Sequence, residues 1–244
     1  NKMEQIKAIL WIYKTCLIRT VELVGDNLAI IFAPIAYGIL LAAAAMLLSP
    51  LGIVGAIVMG VVLAACASSG LYLIENVVRM GKASLQDFAR GFSVYIWEIL
   101  TIAFIFWIPM RLLAQVAFTT PNGPLLYLAV QILLYVIFNA VPELIYQGRV
   151  SGLALLSASY QFIVENWVEW LFPNLLIGVA GYLLRNFVYQ LVAPLPFFFQ
   201  YFLVETAFGL FLTFLMIFRG LLFAELHGTT RRSRVYRYKA RSSQ

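Results

Sequence analysis

Charge is scarce in this chain. Asp, Glu, Lys and Arg make up 11% of 244 residues, against about a quarter in a soluble globular domain. Too few charges are present to clothe a water-facing surface, which argues against an ordinary soluble fold. Histidine is scarcer still, with His227 alone. A histidine metal cluster, a histidine-based triad and bis-histidine haem ligation all need more. Cys16 and Cys66 lie far apart and form no CxxC pair, so they read as packing residues rather than a disulfide framework or a thiol metal site. Walker loops, GxSxG elbows and paired acid/base carboxylates in a soluble domain are missing as well. The expectation is a protein that is not an enzyme and carries no metal or other cofactor.

What is present in quantity is apolar sequence, 63% of the chain. Crossing a bilayer takes about 20 apolar residues, and six stretches qualify, near 28–48, 52–76, 96–118, 124–146, 173–193 and 198–224. The expected fold is therefore an all-α integral membrane protein of six transmembrane helices. An even number of spans puts both termini on one side. Lys2, Lys7, Lys14, Arg19, Arg79, Lys82, Arg90, Arg149 and the basic tail all fall on that side, whereas the opposite turns, "LLSPLG", "TTPNGP" and "APLP", carry no charge. Basic residues stay in the cytoplasm, so both termini are expected there. The first residue is Asn1 rather than Met, which leaves a short preceding stretch as an expectation; no segment has the layout of a cleavable signal peptide.

Residues 1–26 have a polar arc (Glu4, Lys7, Lys14, Thr15, Arg19, Glu22, Asp26) and an apolar one (Ile6, Ile9, Leu10, Tyr13, Cys16, Leu17, Val24). Such a helix lies in the membrane interface. The hairpin exits then look alike: "LIENVVRMGKAS", "PELIYQGRVS" and "AELHGTTRRS" each run Glu, Gly, a basic residue, Ser. After the first two exits come amphipathic stretches ending in Trp97-Glu98 and in Trp167 to Trp170. The pattern suggests an interfacial elbow helix plus a hairpin, repeated three times, at about 1–80, 81–147 and 148–228. Residues 1–228 are expected to form a single membrane domain, followed by a basic cytoplasmic tail, 229–244.

The third elbow, "GRVSGLALLSASYQFIVENW", resembles the G-x-x-x-x-x-A-L-x-x-S-x-x-x-x-x-x-x-N segment of the YciC-like bacterial inner-membrane proteins, through Gly148, Ala154, Leu155, Ser157 and Asn166. It is similar too to the membrane domain attached to some glycerophosphodiester phosphodiesterases. The resemblance implies a six-helix membrane fold with elbow helices in the bacterial inner membrane, and it carries no catalytic or binding residues with it.

Several polar groups fall inside the apolar stretches. Arg185 and Glu205 lie equally far on either side of the "APLP" turn, each roughly 15 Å along its helix at 1.5 Å per residue. A lone charge at mid-bilayer is costly, so an ion pair between them is expected. Arg111 has only the neutral Gln131 at matching depth. Arg111, Gln131, Arg185 and Asn186 could thus line an outward polar cavity for an anion or lipid phosphate, or Arg111 could snorkel to headgroups or pair with another subunit. Glu75, Glu98, Glu143 and Glu225, near Arg79, Arg149 and Arg219, are expected to brace elbows to hairpin ends. Arg231, Arg232, Arg234, Arg237, Lys239 and Arg241 of the tail should adhere to anionic headgroups. Lipids and other membrane subunits, or further copies of the chain, are the expected partners, without specific nucleic-acid binding. Two function classes remain: an accessory or scaffold subunit of an inner-membrane complex, and a transporter or permease component handling an anionic or lipid-like substrate.

Overall fold

The computed structural model of the chain describes residues 2–148 and 150–242, with side chains described for residues 3–148 and 150–240. The backbone is helical nearly throughout, and no strand occurs among the described residues. Helix is the form in which an apolar segment satisfies its own N–H and C=O groups.

In chain order the helices are α1 (Lys2–Asp26), α2 (Ala33–Leu48), α3 (Gly52–Met80), α4 (Leu85–Gly91), α5 (Ile96–Ala117), α6 (Gly123–Ile137), α7 (Val141–Glu143), α8 (Leu153–Val192), α9 (Phe197–Leu226) and α10 (Arg231–Ser242). Among the described residues, five stretches are long and apolar enough to cross a membrane: Leu28–Met80, Ile96–Ala117, Gly123–Gly148, Leu153–Val192 and Phe197–Leu226. The first is 53 residues long and holds α2 and α3, separated by a 3-10 turn at Ser49–Leu51.

One boundary departs from expectation. The apolar stretch 124–146 is not one helix, because α6 stops at Ile137 and the chain continues through α7 into a π-helical turn, Leu144–Gly148. The third elbow is a helix of its own: α8 is two helices that meet at a kink, where Asn166 has non-helical backbone (φ −127°, ψ 20°). Pro173 lies inside α8 without ending it. The exits carry glycines with positive φ, at Gly81 (81°), Gly152 (62°) and Gly228 (68°), a backbone region open to glycine without steric penalty. In the second exit this glycine is Gly152, four residues beyond the Gly148 of the sequence pattern.

The chain divides into two compact units, one of residues 1–38, 73–84 and 166–244, the other of 39–72 and 85–165. These do not coincide with the three sequence repeats, and the basic tail belongs to the first unit.

In the first unit α1 buries Ala8, Ile12, Cys16, Leu23 and Val24, and α9 buries Ile217, Phe218, Leu222, Phe223 and Leu226. Gly209 lets α9 approach the turn at Leu28–Phe32, since a Cβ there would stand 2.1 Å from the Ile31 carbonyl oxygen. Asn27 ties that turn to the end of α3: its amide donates to the Gly81 carbonyl (2.9 Å) and accepts from the Ala83 N–H (3.0 Å). Leaving the core stripe, α1 also exposes an apolar row, Met3, Ile6, Leu10, Leu17 and Val21.

In the second unit, short α4 is pinned to α3 by serines. The Ser68 hydroxyl donates to the Gly91 carbonyl (2.6 Å) and accepts from the Tyr95 N–H, while Ser69 donates to the Phe88 carbonyl. A Cβ on Gly91 would meet Ser69 Cα at 2.8 Å. Ser159 of α8 donates to the carbonyl of Ile137 (2.9 Å), where α6 ends.

Candidate functional site

The richest polar constellation lies in the first unit, where α1, α8, α9 and α10 meet. Its origin is a proline. Pro173 has no N–H, so the carbonyl of Glu169, four residues earlier, loses its helical donor. The Tyr13 hydroxyl of α1 supplies one, at 2.9 Å. Burial is the main cause that pushes the Tyr13 phenol above its ordinary range, with the Glu169 carboxylate adding to it.

The Glu169 side chain is mostly buried and receives two arginines from α10. Arg231 binds it through Nε (2.7 Å) and Nη2 (3.2 Å), and Arg234 Nη1 lies 4.0 Å from the same carboxylate. Arg234 is itself only 4% exposed. A guanidinium there needs acceptors on several sides, and it has them. Nε donates to Thr229 Oγ1, and Nη2 to the carbonyls of Thr229 and Leu226 and to Asn166 Oδ1. Asn166, the residue at which α8 breaks, is thereby fixed to the last helix.

One turn along α8 from Asn166, Trp170 is fully buried. The Arg219 guanidinium stands 5.0 Å from the centre of its ring, and Phe223 meets it edge-on at 6.1 Å. Lone His227 stacks on Phe223 at 4.8 Å.

The tail forms a helix, α10. α10 opens with a reciprocal cap between Thr230 and Ser233 and packs along α1. Arg237 pairs with Glu225 (3.1 Å) and Lys239 with Glu4 (2.8 Å); the Lys239 hydrogen bond holds the Glu4 carboxyl below its usual range. Lipid headgroups cannot reach Arg234, and Arg231, Arg237 and Lys239 are engaged by carboxylates of their own chain. Arg232 is exposed, and the Arg241 side chain lies outside the described residues. Without Arg231 and Arg234, Glu169 would be buried without a counter-charge.

Beside this cluster is a cleft of about 330 Å³. Ile6, Ile9, Val168 and Val235 make its apolar walls, with Tyr13, Glu169, Arg231 and Arg234 at its polar end. Cys16 is buried nearby on α1. Burial, and secondarily Glu225, push its thiol up to about 12, so it is no nucleophile at neutral pH.

The other sequence candidates stand elsewhere. Arg185 is exposed, with its guanidinium 5.7 Å from the centre of the Phe208 ring. No ion pair joins it to Glu205 among the described residues: matching depth along two helices does not set the rotation that would turn both side chains to one seam. Of the residues expected to line an outward cavity, Arg185 and Asn186 belong to the first unit and Arg111 and Gln131 to the second, and all four are exposed. Gln131 borders an apolar cleft of about 370 Å³ with Phe106, Met110, Leu134, Tyr135 and Phe138.

Among the bracing acids, Glu75 pairs with Arg79 on its own helix (2.9 Å), and Glu225 links α9 to α10. Glu98 is half-buried and Glu143 fully buried in the second unit. The Arg219 guanidinium braces against the Trp170 ring. Arg149 lies outside the described residues.

Sequence reasoning missed Glu169 and Tyr13 as site residues. The available signal was a glutamate in "NWVEWLFP", four residues before a proline. No protein-family model, curated protein or solved structure matches the chain.

Proposed function

We propose that the protein is a non-enzymatic scaffold or accessory subunit of a larger membrane assembly. It would span the bacterial inner membrane six times, with both termini cytoplasmic. The observation that carries this reading is how little the apolar helices cover one another. Within the apolar 18-residue core of each stretch, 6% of the residues are buried in Leu28–Met80, 6% in Ile96–Ala117, 17% in Gly123–Gly148 and 11% in Leu153–Val192, against 44% in Phe197–Leu226.

A self-sufficient bundle hides one stripe of each helix against its neighbours. Here the apolar core of α9, the helix held by α1, is packed in that way, whereas α3 buries a stripe only in its second half, at Cys66, Leu73, Ile74 and Val77. Large faces of α2, α3, α5, α6 and α8 stay open, and van der Waals packing between spans is what drives association in lipid. Aromatic residues such as Phe104, Trp107 and Phe187, each more than 60% exposed, would be contact points for partner spans. The exposed positions of Arg111, Gln131, Arg185 and Asn186 favour this reading over a transport path, which calls for enclosed polar residues.

Photo-crosslinking residues placed at Phe104, Leu125 and Phe187 in the native membrane test it. Discrete protein adducts at these positions are expected. Lipid adducts alone at all three would overturn the reading. Reagent access from outside the cell to cysteines placed at Ser49 and Asn122, but not at Ser93, tests the orientation.

A further inference from the structure

We propose that the cleft between α1, α8 and α10 is a binding site for one acidic phospholipid. Its phosphate would sit at Arg231, and an acyl chain would lie along Ile6, Ile9, Val168 and Val235. The proposal rests on the reading of α1 as a helix at the membrane surface.

The cleft holds about 330 Å³, at the lower end of the roughly 300–1,000 Å³ of small-molecule sites. Its two ends differ chemically. At the polar end two guanidinium groups, Arg231 and Arg234, face one carboxylate, Glu169, leaving one positive charge in excess. Arg234 is enclosed and engaged on several sides. Arg231 is different, with a side chain 52% exposed and only Nε and Nη2 bonded to Glu169. Its Nη1 amino group can therefore donate to a phosphate oxygen while the ion pair stays intact.

At the other end the walls are aliphatic. Ile6 belongs both to the cleft and to the exposed apolar row of α1 with Met3, Leu10 and Leu17. That continuity gives an acyl chain an apolar path over Ile6 into the cleft, with Gln5 on the wall beside it. A free inorganic anion would leave these walls wet, whereas a chain covering them gains the usual burial energy. A zwitterionic choline headgroup would bring its own cation toward Arg231 and is disfavoured on charge.

The test uses the full chain in nanodiscs of phosphatidylcholine with a minor share of phosphatidylglycerol. After extraction into mild detergent, the lipid retained per chain is measured by mass spectrometry. One phosphatidylglycerol per chain is expected in preference to phosphatidylcholine. Arg231→Gln should lower that retention about tenfold, the worth of one charge-assisted hydrogen bond.

Ile9→Trp, which fills the cleft and touches no charge, should abolish retention with the melting temperature kept. Equal retention of the two lipids, or unchanged retention in Ile9→Trp, overturns the site. So does preferential retention of added oleate, or displacement of the lipid by inorganic phosphate. A chain that fails to enter nanodiscs would contradict the membrane reading itself; one that enters and keeps no acidic lipid contradicts this site alone.

Discussion

The Tyr13 hydroxyl donates to the main-chain carbonyl of Glu169 at 2.9 Å, in place of the N–H that Pro173 cannot offer. One side chain of the first helix thus completes the hydrogen bonding of a helix more than 150 residues later, and it does so beside the Glu169 carboxylate that receives α10.

Removing that donor has a predictable cost. Tyr13→Phe should destabilise the protein by about 1–2 kcal/mol, the penalty for a part-buried carbonyl left without a donor. In a Pro173→Ala background the alanine N–H can bond Glu169 directly, so the same substitution should cost distinctly less. Thermal unfolding of the four variants in detergent measures this coupling. Additive effects would show that Tyr13 acts through packing alone.

Arg234 should tolerate no substitute. Alanine leaves the Glu169 carboxylate short of a partner and removes the guanidinium that donates to Thr229, Leu226 and Asn166, a loss on the order of 3 kcal/mol for a broken buried pair. Lysine keeps the charge but cannot fork to Asn166, Thr229 and Leu226 at once, and should restore less than half. Limited proteolysis between α9 and α10 reports the release of the last helix; an uncut Arg234→Ala protein would contradict the role given to this residue.

Alkaline conditions should weaken the first unit in a defined direction. The Cys16 thiol is raised from about 9 to about 12 by burial. Below pH 9 it is neutral whether the chain is folded or not, and has no effect. As pH climbs from 9 toward 12, the unfolded chain loses this proton while the folded one keeps it, so stability falls by up to about 1.4 kcal/mol per pH unit. Tyr13, also raised by burial, adds a loss of the same sign beginning near pH 10. Melting curves from pH 8 to 11 should show a shallower alkaline decline in Cys16→Ala than in the unaltered chain, whatever its starting stability. At neutral pH a maleimide should react with Cys16 only on unfolding.

The apolar stretches were the most legible part of the fold, because length and hydropathy suffice to define them. The starts of α3 and α5 and the end of α8 fall within a residue or two of the positions read from sequence. Local backbone events were less legible. Nothing in a hydropathy pattern marks the end of α6 at Ile137, and the position of the break in α8 depends on Asn166 meeting Arg234 from the far end of the chain.

The ion pair expected between Arg185 and Glu205 shows the same limit from the other side. Depth can be counted along a sequence; azimuth is settled by packing, and packing turns Arg185 onto Phe208. In the tail, composition suggested a segment for headgroups, whereas spacing held the better clue. Arg231, Arg234, Val235 and Tyr238 recur at helical intervals on one face, and the first three line the cleft beside Glu169. A buried glutamate was the counter-charge that composition alone could not point to.

The scaffold reading is tested most directly by native mass spectrometry of the full chain released from native nanodiscs. The account predicts a stoichiometric partner, a second membrane protein or further copies of this chain, held through the open faces of α5 and α6 and lost when Phe104 and Leu125 are both changed to Ala. A chain that emerges only as a monomer carrying lipid, under conditions that preserve known membrane complexes, would contradict it.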